Sequence, residues 1–267
     1  MTNTIKVGDA ELAYRLSGPS DAPLLTFAHG LAADMSMWDS NVDAFTDHYR
    51  VLRYDMRGHG GSSHGGDFVS LDRLADDAIG LLDALAIDRT HFVGLSLGGI
   101  IGQQLGARYG NRLRTLALCN TMSVQSAGAT WDRQIERVQQ GEMSAVAQTT
   151  LERWFTPAFL SRAPDRIEGV RRMILRTGPA DYIGCALALR NLDQRELLGR
   201  ISVPTLVLTG REDPAATPSI ASTLHAAITA SELAIIEGAA HMPNIEQPIS
   251  FNATLLAFLS RHTGIAA

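Results

Sequence analysis

Residues 91–102 read HFVGLSLGGIIG. A short apolar run, "THFVG", leads into this stretch, and a longer one, "GGIIGQQLGARY", leads out of it. The first has the length of a buried strand and the second the length of a helix. Between them stands Ser96, with Gly94 and Gly98 two residues to either side, which makes a G-x-S-x-G pentapeptide. In a chain with 24 glycines the pentapeptide alone is weak evidence. Its place between strand and helix strengthens it, because a sharp turn there lifts a serine hydroxyl above the edge of a sheet. The turn brings the backbone at 94 and 98 together, where side chains would clash, and forces Ser96 into a strained conformation. The amide of Leu97 then opens the helix and is a candidate donor to an oxyanion.

Strands and helices alternate on both sides of the turn. "ELAYRL", "LLTFAHG" (24–30), "YRVLRYD" (49–55) and "LRTLALCN" (113–120) read as strands. Leu71, Leu74, Ala75, Ala78, Ile79, Leu82 and Leu85 repeat at helical spacing behind Ser70, a candidate N-cap. From about Thr121 to Arg200 no strand is evident and several helices are expected. Alternation then resumes with "VPTLVLTG", a helix capped by Thr217 and opened by Pro218, "SELAIIEG" and a closing helix. The pattern predicts an α/β fold, with a mostly parallel central sheet, helices on both faces and a helical lid insertion. Its parts are a core over 1–120, a helical cap over 121–200, and the rest of the core over 201–267. An insertion between sheet strands lies above the edge where active sites form.

Composition narrows the classes. The 267 residues are 45% hydrophobic and 19% charged, ordinary for a soluble globular protein. A net charge of −5 argues against nucleic acid as a partner. No apolar run approaches the roughly 20 residues of a membrane span, and the first residues lack the pattern of a signal peptide. The two cysteines, Cys119 and Cys185, have no metal-type spacing. A cytoplasmic location with reduced thiols is expected, with no metal site. Oligomeric state is not legible.

A serine hydroxyl needs a base. Of the eight histidines, His48, His225 and His262 fall on polar helical positions, His64 in a Gly/Ser loop without fixed geometry, and His91 at the wrong end of its strand. His29 and His59 sit inside glycine turns. His241 follows the last strand in a loop that reaches back over the sheet. The base in turn needs a carboxylate. The strand before the insertion ends at Asn120, an amide. The strand "TLVLTG" is followed by "REDPAATP", where Asp213 is favoured over its longer neighbour Glu212. The order Ser96, Asp213, His241 is that of the α/β-hydrolases. "His29-Gly30-Leu31" is placed to offer the Leu31 amide as second oxyanion donor.

With these residues assembled, the chain resembles the α/β-hydrolase superfamily over nearly its whole length. More narrowly it resembles the 3-oxoadipate enol-lactonases of aromatic catabolism. The stretches that carry the likeness are "MSMWDSNV", "VLRYDMRGHGGS", "HFVGLSLGGIIGQQLG", "LALCNT", "RWFTPAF" and "LGRISVPTLVLTGREDPAATP". The resemblance implies a triad of Ser96, Asp213 and His241 that opens a lactone ring without metal or cofactor. Two places depart from it: "AHGLAAD" (28–34) stands where the lactonases read Ser-Asn-Ser-Leu-Gly, and Cys185 stands where they tend to carry an asparagine. Both face the pocket in the expected fold. His29, Trp131, Trp154 and Cys185 are therefore candidate pocket residues. Residues 121–200 carry 11 arginines and 9 acidic residues, a balance of +2, against 12 basic and 19 acidic residues elsewhere, a balance of −7. A relatively cationic lid suits an anionic substrate. The expected function is hydrolysis of a small lactone or ester through an acyl-enzyme. A general carboxylesterase, a lactonase for another ring such as an acyl-homoserine lactone, and a non-catalytic small-molecule receptor are the alternatives.

Overall fold

The structure, a computed structural model, describes residues 1–66, 69–125 and 128–263. Its strands are β1 (Asn3–Val7), β2 (Ala10–Ser17), β3 (Leu24–Ala28), β4 (Arg50–Tyr54), β5 (Thr90–Leu95), β6 (Leu113–Cys119), β7 (Thr205–Gly210) and β8 (Ser231–Ile236). They form one sheet in the order β1-β2-β4-β3-β5-β6-β7-β8. β1, β2 and β4 pair antiparallel, and the other pairs are parallel. The central strands β3 and β5 are buried at every residue, as continuous apolar runs require in a parallel sheet covered on both faces. β1, an edge strand with one buried residue, was not expected from the sequence.

Helix α1 (Leu71–Ala84) starts at Ser70, whose hydroxyl accepts the Arg73 amide at 3.1 Å. Helix α2 (Leu97–Arg108) follows β5 directly. Successive residues of β5 take opposite faces of the sheet. Phe92 packs toward Gly102 of α2. His91 meets the Tyr49 ring edge-on, and the Tyr49 hydroxyl hydrogen-bonds Thr263 of α11 (Pro248–Thr263).

Between β6 and β7 the chain forms α3 (Gly128–Gln139), α4 (Met143–Trp154), α5 (Pro157–Arg162), α6 (Pro164–Arg176) and α7 (Pro179–Arg190), then the single turn α8 (Arg195–Leu198). Three of these open on proline, which is pre-shaped for the first helical turn. The two stems of this segment are stitched by an antiparallel bridge between Val124 and Asp193. Arg176 pairs with Asp34 at 2.5 Å, and Thr156 bonds the buried Glu246. These contacts hold the helices over the C-terminal ends of the strands. Helices α9 (Pro218–Ala227) and α10 (Pro243–Glu246) complete the core, with Thr217 capping α9 by accepting the Ile220 amide. No helix among the described residues is long and apolar enough to cross a membrane.

Candidate active site

β5 ends at Leu95, and the chain reverses into α2 through Ser96, whose φ of 56° and ψ of −114° are unusual for a residue with a side chain. Such a conformation costs on the order of 1–3 kcal/mol and persists only where its surroundings hold it. Here the Ser96 amide donates to the Cys119 carbonyl at 2.9 Å, and the Thr121 hydroxyl donates to the Ser96 carbonyl at 2.9 Å. The flanking glycines are a steric necessity. A Cβ on Gly94 would lie 2.1 Å from the Gly98 carbonyl oxygen, and one on Gly98 would lie 2.4 Å from that of Ala28. Both obstacles are backbone and cannot turn aside.

Asp213 occupies the loop after β7, and its side chain is sealed from solvent. Its Oδ1 accepts the amides of Ala215 and Ala216 at 2.8 and 3.0 Å. Its Oδ2 faces His241 Nδ1 at 2.8 Å and accepts the Asn120 side-chain amide at 2.8 Å. Burial alone would raise its pKa. The charge and hydrogen bond of His241, the Asn120 amide and the Ala215 N–H outweigh burial and hold it down at about 2. Glu212, its sequence rival, is exposed and instead accepts the Ala239 amide at 2.9 Å, tying two loops together. His241 is brought to Asp213 by the loop after β8, and the Trp154 ring stacks over its imidazole with centroids 6.4 Å apart.

Ser96 and His241 line one cavity of about 440 Å³, roofed by α3, α4 and α7. Leu31 lines it as well, and Leu97 opens α2 beside it. Among the described residues no acceptor takes the Leu31 or Leu97 amide hydrogen, so both are free to serve a ligand oxygen. The loop that carries Leu31 rests on "DMRGHG". The Ala32 amide donates to His59 Nε2 at 3.3 Å and the Met35 amide to Asp55 Oδ1 at 2.6 Å. Arg57, itself buried, is clamped by both oxygens of Asp77 at 2.6 and 2.7 Å. Chemically, the set offers a strained hydroxyl, an imidazole oriented by an ionised carboxylate, and two unpaired backbone donors.

Residues 23–248 match the alpha/beta hydrolase fold family. The chain belongs to the alpha/beta-hydrolase family. It is 35% identical to 3-oxoadipate enol-lactonase 2 of Acinetobacter baylyi over 97% of either chain. The enol-lactonase structure from Burkholderia xenovorans LB400 superposes with a TM-score of 0.94 at 35% identity, covering 97% of this chain and 100% of that one. A thermophilic esterase from Thermogutta terrifontis superposes at 0.90 with 28% identity, covering 98% and 100%.

Within this alpha/beta-hydrolase the proposed pocket residues divide. Trp131 and Trp154 line the cavity, whereas His29 and Cys185 do not. His29 is fully buried under the loop that carries Leu31. Its Nδ1 bonds the Gly30 carbonyl at 2.8 Å, and its Nε2 accepts the Met56 amide at 2.9 Å, so neither nitrogen is left for a ligand. Burial pushes its pKa down to about 4 and keeps the ring neutral. Cys185 is buried, and burial raises its thiol to about 12. His64, expected in a loop without fixed geometry, pairs with Asp181 of α7. The sequence also gave no sign that Asn120 and Glu246 serve the site. Asn120, at the end of β6, donates to Asp213 and to the Ala240 carbonyl; Glu246 accepts the Ala240 and Thr156 amides next to His241. Among the described residues no group of three or more His, Cys, Asp or Glu is placed to hold a metal ion.

Proposed function

We propose that this alpha/beta-hydrolase is a serine hydrolase of a small lactone or carboxylic ester, working through an acyl-enzyme. The observation that carries the reading is the 2.8 Å contact of His241 Nδ1 with a carboxylate already fixed by two backbone amides. That contact keeps the Nδ1 proton in place and leaves Nε2 as the base. Ser96 Oγ adds to the carbonyl carbon as Nε2 takes its proton, and the Leu31 and Leu97 amides donate to the oxyanion. The tetrahedral intermediate collapses, and the imidazolium returns the proton to the departing alkoxide or enolate. Water, deprotonated by His241, then releases the acid and restores Ser96. Residues 121–200 act as the cap that encloses the substrate. The curated lactonase relatives favour an enol-lactone substrate and a role in aromatic catabolism; both buried cysteines are free, which fits the cytoplasm.

The likeness to an esterase structure and the departure at 28–34 favour one second reading, a carboxylesterase of broader range. Turnover of 3-oxoadipate enol-lactone beside neutral short-chain esters, for wild type and Ser96→Ala, separates the two. The expected result is faster turnover of the lactone and loss of at least roughly 10⁴-fold in the variant. Poor lactone turnover beside rapid ester turnover makes the chain a general esterase. Hydrolysis that survives Ser96→Ala overturns both readings.

A further inference from the structure

His241 is held from two sides. On the core side, its Nδ1 meets Asp213 at 2.8 Å, and the Asn120 side chain donates to the carbonyl of Ala240, the residue before it, at 3.1 Å. On the cap side, both neighbours in the chain are fastened. The amide of Met242, the residue after it, donates to the Trp154 carbonyl at 3.1 Å. The amide of Ala240 donates to Glu246 Oε2 at 3.0 Å. Glu246 Oε1 in turn accepts the Thr156 amide at 3.2 Å and the Thr156 hydroxyl. Trp154 ends α4 and Thr156 caps α5, so both belong to one corner of the cap. The Trp154 ring also lies over the imidazole, 27° from parallel. A single corner of the cap thus brackets His241 before and after and covers its ring.

Glu246 makes this join in a costly way. It is 3% exposed. Arg162 and Arg166 reach the same loop but donate to the carbonyls of Glu246 and Ile245, at 3.4 and 3.3 Å, and among the described residues no cation pairs with the Glu246 carboxylate. A buried carboxylate is strongly disfavoured unless hydrogen bonds replace its water. Here those bonds come from two backbone amides and a hydroxyl. An ionised carboxylate accepts at both ends, which an amide cannot. It can therefore hold the histidine loop at one oxygen and the cap at the other. Neither Glu246 nor Thr156 lines the cavity, so neither touches the substrate. Their effect on the reaction has to pass through His241, whose Nε2 must reach Ser96 Oγ to take its proton.

We infer that Glu246 is a positioning residue that ties the base to the cap, so that His241 is in register with Ser96 only while the α4–α5 corner is seated; this rests on the proposed reading of His241 as the base. With Ala240 and Met242 both fastened to that corner, a cap that lifts carries the imidazole off Ser96. Enclosure of the substrate and assembly of the base are then one event.

The test follows nitrophenolate release from 4-nitrophenyl butyrate by wild type, Glu246→Leu, Thr156→Val and Thr156→Ser, with thermal melts alongside. Acylation and deacylation both pass through His241, so kcat reads its position whichever step is slower. Glu246→Leu fills the space but accepts no hydrogen bond; it should lower kcat about 100-fold, the cost of a displacement of about 1 Å, with KM within about 3-fold of wild type. Thr156→Val, which cuts the join from the cap side, should lower kcat about 10-fold, and Thr156→Ser, which keeps the hydroxyl, should restore it to within about 2-fold. Bonds that served only to hold the cap down would show instead as a lower melting temperature and a raised KM, with kcat kept. If Glu246→Leu fails to fold, the Thr156 pair decides the matter. A kcat kept in Thr156→Val, a loss confined to KM, or a serine variant as impaired as the valine one overturns the positioning role while the hydrolase reading stands. Absence of Ser96-dependent release in wild type overturns the hydrolase reading itself.

Discussion

Asp213→Asn is the sharpest perturbation of the proposed machinery, because the surroundings dictate how the amide must sit. Oδ1 of Asp213 accepts two backbone amides, from Ala215 and Ala216, which cannot become acceptors. The asparagine oxygen must therefore take the Oδ1 place and its NH₂ the Oδ2 place. That NH₂ then faces His241 Nδ1 at 2.8 Å and the Asn120 amide nitrogen at 2.8 Å, donor toward donor. Asn120 cannot escape by turning over, since its nitrogen also donates to the Ala240 carbonyl. His241 can escape, by moving its proton from Nδ1 to Nε2. An imidazole with Nε2–H cannot accept the Ser96 proton. The expected loss in kcat is on the order of 10⁴-fold, or about 5 kcal/mol of barrier. Asp213→Ala removes the anion but leaves His241 free to choose its tautomer. The isosteric asparagine variant should therefore be no more active than the alanine variant, the reverse of the usual order for a mild and a severe substitution. Steady-state kcat on the best available ester or lactone, with thermal melts as the check on folding, gives the comparison. An asparagine variant that keeps a tenth of wild-type activity, or exceeds the alanine variant tenfold, refutes the tautomer argument.

Two further outcomes follow from the packing. Gly98→Ala drives a Cβ to within 2.4 Å of the Ala28 carbonyl oxygen; it should cost about 3 kcal/mol, seen as a melting temperature lowered by roughly 6–12 °C. A melt within 2 °C of wild type would show that the turn has slack the structure does not. Burial holds His29, His59 and His91 at about 4, against 6.5 unfolded, so the unfolded chain takes up protons first as pH falls. Their contribution to stability is whole above pH 6.5 and fades between 6.5 and 4, by about 2 kcal/mol each at pH 5. Urea midpoints at pH 7.5 and 5 read this directly, and equal midpoints would contradict the neutral burial of the three rings.

Local pattern sufficed where one segment carries the whole signal. The apolar runs of β3 and β5 are buried at every residue, and Ser70 and Thr217 cap their helices as their positions imply. β1 escaped notice because four of its five residues retain some exposure, so its alternation is faint. The Ser96, Asp213 and His241 placements could be argued because each follows the end of a strand, where topology restricts position. What stayed hidden depends on pairings between distant segments. Thr156, Glu246 and Ala240 meet only where the α4–α5 corner packs on the loop after β8, and nothing in their spacing marks Glu246 out. The enol-lactonase resemblance places Cys185 at the pocket, yet its side chain is buried within the cap and off the cavity. In the sequence Asn120 is an amide at a strand end where a carboxylate would serve. Its place at the end of β6, with a φ of 46°, instead makes it the donor that steadies the acid from β7.

The central claim is that Ser96 is the activated nucleophile. Its most direct test is intact-mass and peptide mapping after treatment with a small fluorophosphonate, which labels only a hydroxyl that a neighbouring base makes reactive. The account predicts one adduct per chain, in the tryptic peptide Thr90–Arg108 at Ser96, appearing in step with loss of hydrolytic activity and absent from Ser96→Ala. Full inactivation with the adduct elsewhere, or an unlabelled and active Ser96, would contradict it.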